Sequence, residues 1–174
     1  MVSKLNWPAP EDVAMAEQSQ QTLIIIKPDA LQRALIGEIV ATFERKGLRL
    51  TALKLMRISR SLAERHYAVH KGKPFYPGLV DFITSAPVVV MALEGVNAIE
   101  VIRRVLGKTN GAAAEPGSIR GDFGISRRNN LVHASDGAES AQRELKLYFA
   151  ETDYVTYDKN ELRWTYDWSG ANPE

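Results

Sequence analysis

Three histidines, His66, His70 and His133, are the candidate nucleophiles, general bases or metal ligands of a chain that has no cysteine. Disulfides, thiolate nucleophiles and cysteine-based zinc sites are therefore excluded. His66 and His70 lie four residues apart, so a helix would put them on one face. With no third ligand and no HExxH pattern, surface or partly packed histidines are the simpler reading of that pair. His133 stands in a different setting. It ends a short apolar run, Leu131-Val132, just before a helix expected to open at Asp136. A helix start presents unpaired N–H groups and a partial positive charge, which stabilise a phosphate brought there. A neutral imidazole can attack phosphorus directly. Glu144, two turns along that helix, is placed to turn back and hold the ring. Position alone leaves a purely structural histidine as the commoner alternative.

Phosphoryl transfer needs mostly positioning and charge neutralisation. Lys27 ends the first apolar run, and Arg103 lies in the helix before a long loop that supplies Thr109 and Arg120. Each alone reads as an ordinary surface residue. Together they give a set of donors at strand ends and in one glycine-rich loop. The chain has no GxxxxGK[ST], no protein-kinase loops and no GxGxxG, so a nucleotide enzyme built on it would need another route.

The elements that must hold these residues follow from periodicity. Thr22–Ile26 and Pro87–Leu93 read as buried strands, and Leu50–Ser59 has β-like composition. Ile36, Ile39, Val40 and Phe43 recur at helical spacing, with Gly47 as the stop. Ser61-Leu62-Ala63-Glu64 and Asn97-Ala98-Ile99-Glu100 read as capping boxes that open two helices. A helix is also expected over Phe75–Thr84, and another after Asp136, with Ala141, Leu145 and Tyr148 facing inward. Gly107–Asn130 has no sustained period, and a loop that long in a compact domain is commonly functional. The expected fold is α+β: a ferredoxin-like βαββαβ arrangement with a four-stranded antiparallel sheet covered by helices and a long loop before the last strand.

Residues 1–21 read as a polar tail with a short helix possible after Pro10, 22–150 as the domain, and 151–174 as a C-terminal segment. That last segment carries Tyr154, Tyr157, Trp164, Tyr166 and Trp168, and is expected to pack on the domain or on a neighbouring subunit. Lys plus Arg number 22 against 21 Asp plus Glu, a net charge of +1, so any anion site must come from local placement. The N-terminus lacks an apolar signal core and no run is long enough to span a membrane, so the expected location is the cytoplasm. The expected strands carry no aromatic residues for stacking RNA, so a specific nucleic-acid partner is not expected.

Lys27-Pro28-Asp29-Ala30, Tyr67, Phe75-Tyr76-Pro77-Gly78-Leu79, Gly107-Lys108-Thr109-Asn110, PGSIRGDF at 116–123 and Asn130-Leu131-Val132-His133-Ala134-Ser135-Asp136 together resemble the nucleoside diphosphate kinase family. The resemblance runs from about Thr22 to Trp168. It implies a ping-pong reaction in which a nucleoside triphosphate such as ATP or GTP phosphorylates His133 and a diphosphate collects the phosphate. It further implies that Glu144 holds the His133 ring and Ser135 supports Glu144. Lys27 and Asn130 would meet the ribose, Lys27 and Tyr67 the transferred phosphate, and Arg103, Thr109 and Arg120 the polyphosphate. Phe75 would stack on the base beside Leu79. Mg²⁺ would be held mainly by nucleotide phosphates and waters, with Asp136 approaching it through water. A homo-oligomer, with a hexamer favoured, is the implied assembly. The chain departs from the family pattern at Arg127-Arg128-Asn129, where an apolar residue followed by Gly-Arg is usual. Gly111 and Ala134 stand in place of a common proline and a frequent glycine. A relative that binds nucleotides without catalysis is the alternative, and the filled catalytic positions argue against it.

Overall fold

The computed structural model of the protein describes residues 19–157 and 162–166. A helix after Pro10 and the placement of Trp168 lie outside the described residues. Four strands, β1 (Ser19–Ile26), β2 (Arg49–Met56), β3 (Val88–Val96) and β4 (Val132–Ala134), form one antiparallel sheet in the order β2-β3-β1-β4. The helices are α1 (Pro28–Gln32), α2 (Ile36–Arg45), α3 (Arg60–His66), α4 (Tyr76–Thr84), α5 (Ala98–Leu106), α6 (Ile119–Phe123), α7 (Ala138–Tyr148) and α8 (Leu162–Thr165). This is the expected ferredoxin-like architecture.

β1 shows why. Side chains along a strand alternate between faces, and here both faces are buried. Leu23 and Ile25 join one apolar cluster with Leu62 of α3, Val80 and Ile83 of α4 and Leu145 of α7. Ile24 and Ile26 join another with Ile39 and Phe43 of α2, Ile102 and Leu106 of α5 and Ile119 of α6. A continuous apolar run is what a strand covered on both sides requires.

Boundaries differ from the sequence reading in instructive ways. β1 starts at Ser19, three residues before Thr22, so part of the expected tail is strand. Ser19, Gln20 and Gln21 pair with Val96, Gly95 and Glu94, and the side chains of Ser19 and Gln21 donate to the Glu94 carboxylate at 3.0 Å each. Polar residues tolerate the strand there because Glu94 gathers their donors. α3 is capped by Ser59, not Ser61: the Ser59 hydroxyl accepts from Leu62 N at 3.2 Å. Asn97 precedes α5 but adopts φ +52° and makes no side-chain cap. Gln20 of β1 accepts from Ile99 N instead, at 3.3 Å. α7 starts at Ala138, two residues after Asp136.

The long loop contains local structure that hydrophobic periodicity does not reveal. Ser118 caps α6 by accepting from Gly121 N at 3.1 Å. The loop folds back so closely that a Cβ at Gly107, where φ is +77°, would sit 2.3 Å from the Ser118 hydroxyl. Beyond α7, Val155 N donates to Thr51 O at 2.8 Å, and the Tyr154 ring packs on Phe149 at 5.7 Å. The Tyr166 hydroxyl accepts from Val96 N at 3.4 Å, whereas Trp164 is 82 % exposed. Among the described residues, no helix is long and apolar enough to cross a membrane.

Candidate active site

His133 sits in the middle of β4, paired with Ile25 of β1. Its entry is set by Leu131, which takes the left-handed conformation at φ +72°. Leu131 O accepts from Lys27 N at 2.8 Å, and Leu131 N donates to the Asp29 carboxylate at 3.0 Å. A leucine in this region is strained, and persists only where its surroundings over-determine it. Here the start of α1 supplies both hydrogen bonds.

The His133 ring is held through one nitrogen. Nε2 lies 2.8 Å from Glu144 Oε2, which also accepts from the Ser135 hydroxyl at 2.8 Å. The other Glu144 oxygen accepts from Arg143 at 3.2 Å. Burial pushes the Glu144 carboxyl up, but the hydrogen bond and charge of His133, aided by His66 and Ser135, hold it below its ordinary value. An ionised carboxylate only accepts, so Nε2 carries the shared proton and Nδ1 is the nitrogen outside that contact.

Cationic side chains share the cleft with His133. The cleft has a volume of about 900 Å³ and is bordered by Lys27, Tyr67, Leu79, Arg103, Thr109, Arg120, Asn130, Asp136 and Glu144, all anticipated from sequence. Lys27, 7 % exposed, donates to the Arg128 carbonyl at 2.9 Å and to the Asn130 side-chain oxygen. Burial lowers its pKa to about 8, against the pull of Asp29 and with help from Arg120. Asn130 donates in turn to the carbonyls of Thr109 and Arg127, at 2.8 and 2.9 Å. Arg120 is fixed by the carbonyls of Asn130, Gly107 and Val132, at 3.2, 2.9 and 2.6 Å. Burial, with Arg103 nearby, brings its pKa down to about 10. Asp136 is exposed, and the hydrogen bond from the Ser140 hydroxyl holds its carboxyl below the usual range.

Two expected site residues do not border the cleft. Ser135 is fully buried behind Glu144. Phe75 is 49 % exposed and stands beside His70, which does border it, with ring centroids 5.6 Å apart. Two residues that the sequence reading did not place in the site belong there. Arg143 braces Glu144. His66, read as a surface or partly packed histidine, is 2 % exposed, its ring edge-on to His133 at 4.5 Å. The signal for its burial was its phase: with Leu62 and Ala63 it lies on the inward side of α3. Burial drives its pKa down to about 3, reinforced by His133, so it is neutral.

The arrangement sets an imidazole, braced through one nitrogen by Glu144, at the border of a cleft with fixed cations, which is suited to receiving a phosphoryl group. Comparison with known proteins agrees. The family model for nucleoside diphosphate kinase matches residues 20–154. A nucleoside diphosphate kinase of Archaeoglobus fulgidus is 49 % identical over 148 residues, covering 85 % of this chain and 98 % of that protein. One from Rhodopirellula baltica is 55 % identical over 138 residues, covering 79 % and 91 %. Among solved structures, the Halobacterium salinarum nucleoside diphosphate kinase in complex with CDP superposes with a TM-score of 0.82 at 44 % identity, covering 86 % of this chain and 99 % of that one. The Borrelia burgdorferi enzyme, a transition-state mimic with vanadate and ADP, gives 0.78 at 35 % identity, covering 83 % and 95 %. With the sequence match spanning most of the domain and the structural likeness covering 86 % of the chain, this chain belongs to the nucleoside diphosphate kinase family, whose members are phosphotransferases.

Proposed function

We propose that this nucleoside diphosphate kinase works by ping-pong transfer with His133 as the phosphate carrier. Nδ1 attacks the γ-phosphorus of a nucleoside triphosphate, the bond from that phosphorus to the bridging oxygen breaks, and the diphosphate leaves. A terminal oxygen of a second diphosphate then attacks the phosphorus, and the nitrogen–phosphorus bond breaks. The proton on Nε2 stays in place throughout. Glu144 balances the positive charge that grows on the ring in each half-reaction, and Ser135 and Arg143 keep that carboxylate aimed. The observation that carries this reading is the His133–Glu144 contact at 2.8 Å, which occupies Nε2 and leaves Nδ1 as the reactive nitrogen.

Lys27, Arg103, Thr109 and Arg120 bind the polyphosphate in this reading, with Tyr67 beside the transferred group. Asn130 and Lys27 meet the ribose, and Phe75 and Leu79 flank the base. Preorganised donors of this kind lower the barrier because they need no reorientation as charge moves. Asp136 is an ionised, accessible oxygen donor beside the carrier, which suits a Mg²⁺ ion that keeps most of its waters. Mg²⁺ would neutralise the polyphosphate charge. The substrates are nucleoside triphosphates and diphosphates, and the assembly is a homo-oligomer, with a hexamer favoured. The cytoplasm is the proposed site of action.

Incubation with γ-labelled ATP followed by mapping of the label tests the mechanism. The wild type forms an acid-labile, base-stable phosphoenzyme labelled at His133, and His133→Ala forms none. A His133→Ala protein that still transferred phosphate at near wild-type rate would end the mechanism.

A further inference from the structure

We propose that His66, His133 and Glu144 form a binding site for a borderline divalent cation such as Zn²⁺, and that the bound ion turns the enzyme off by locking His133 in its unreactive tautomer. This rests on His133 being the phosphate carrier. One ligand atom from each of the three side chains lies within 4.8 Å of the others. His66 is the unusual member. It is 2 % exposed, and among the described residues neither of its ring nitrogens has a hydrogen-bond partner. Buried polar groups without partners are costly and rare in proteins. Both α3 and the cleft wall bring this imidazole to the edge of the His133 ring, 4.5 Å away, with a lone pair that nothing uses.

Two imidazoles and one carboxylate, with a fourth position left for water, make a zinc donor set. Mg²⁺ prefers oxygen ligands and retains its waters, so the same set discriminates against the ion that accompanies the nucleotide. Tetrahedral coordination with metal–ligand bonds of about 2.0–2.1 Å puts ligand atoms roughly 3.3 Å apart. The widest gap must therefore close by about 1.5 Å at most while the 2.8 Å Nε2–Oε2 pair opens slightly, and His66 gives up no hydrogen bond seen among the described residues. Arg143, donating to Glu144 at 3.2 Å, opposes the incoming charge, and Ser135 keeps its own bond to the carboxylate. The rings of Tyr67 and Tyr148 pack on His66 at 4.6 and 5.6 Å and add no charge.

The chemistry of inhibition is a proton relocation. Nε2 of His133 faces Glu144, so the ion takes the place of the Nε2 proton. That bond breaks, the proton passes through water, and an N–H bond forms at Nδ1, so the ring stays neutral and no net proton is released. Nδ1 then has no free lone pair to offer phosphorus. Inhibition arises without blocking the cleft, and nucleotide still binds.

Co²⁺, which reports tetrahedral nitrogen and oxygen ligation by intense visible absorption, tests this on the full chain. Wild-type protein is expected to bind one Co²⁺ with tetrahedral bands, and Zn²⁺ added against excess Mg²⁺ to suppress label transfer from ATP until a zinc-selective chelator is supplied. His66→Asn should weaken Zn²⁺ binding by about 100-fold. The wild-type Co²⁺ spectrum does not depend on any variant folding. Octahedral bands only would overturn the site, and tetrahedral bands with label transfer unaffected by Zn²⁺ would overturn the tautomer lock. Label on His133 without Co²⁺ bands removes only this inference, whereas Co²⁺ bands with label on another residue remove the carrier assignment and the tautomer lock with it.

Discussion

The two ends of the cleft are built to different standards. At the reacting end, Glu144 and Ser135 are buried, His133 keeps 23 % of its side chain exposed, and 2.8 Å hydrogen bonds join all three. Lys27 and Asn130 are buried beside them and tied to each other and to three loop carbonyls. At the far end, Phe75, Arg127 and Arg128 are exposed. The Arg128 guanidinium lies against the backbone of α4, so close that a Cβ at Gly78 would meet it at 2.9 Å. Order is concentrated where a phosphoryl group changes hands and is relaxed where bases would be met. Fixed donors suit a transition state with one geometry. An exposed π-face suits ligands that share only flatness.

Three measurements would break or sharpen that contrast. The largest effect belongs to the rigid end. Glu144→Gln removes the negative charge behind the ring while keeping the shape, and single-turnover transfer should slow by ~10²-fold, with calorimetric nucleotide affinity little changed. Equal damage to both would mean that Glu144 serves folding rather than transfer. Phe75→Ala comes next. The loss of one stacking face, on the order of 1–3 kcal/mol, should raise KM about tenfold for adenine, guanine, cytosine and uracil diphosphates alike. A loss confined to one base would show that the open end reads base identity.

The smallest effect is the titration of Lys27, whose pKa is lowered to about 8 by burial. Above that pH the ammonium loses its charge, so kcat/KM should fall several-fold as pH rises from about 7 to 9. Lys27→Arg should lack this limb in whatever activity it retains. The stability sign is opposite. The unfolded lysine titrates near its ordinary value of 10.5, so between about 8 and 10.5 the unfolded chain binds more protons, and stability from this group rises with pH. Urea midpoints across that window read it directly.

The sheet and its main helices were legible because β1 and β3 are continuous apolar runs and α2 repeats at helical spacing. The caps were less so. Ser59 and Ser61 offer the same hydroxyl two residues apart, and the cap of α5 comes from Gln20, remote in sequence. α6 was hidden because its five residues bury only Ile119 and so show no periodicity. Within the cleft, the residues of the PGSIRGDF and NLVHASD segments could be named because each sits in a local pattern. His66 could not, since its proximity to Glu144 and His133 is created by α3 packing on α7, and Arg143, although next to Glu144 in sequence, sits in no pattern that marks it.

Because residue 133 is hydrogen-bonded into the sheet opposite Ile25, the location of its imidazole is inherited from the fully buried half of β1. Drift in the exposed segment around Arg127 and Arg128 can therefore retune which nucleosides are accepted while the position of the carrier atom stays put. Replacement of the buried residues of β1, by contrast, would disturb the strand on which residue 133 is registered.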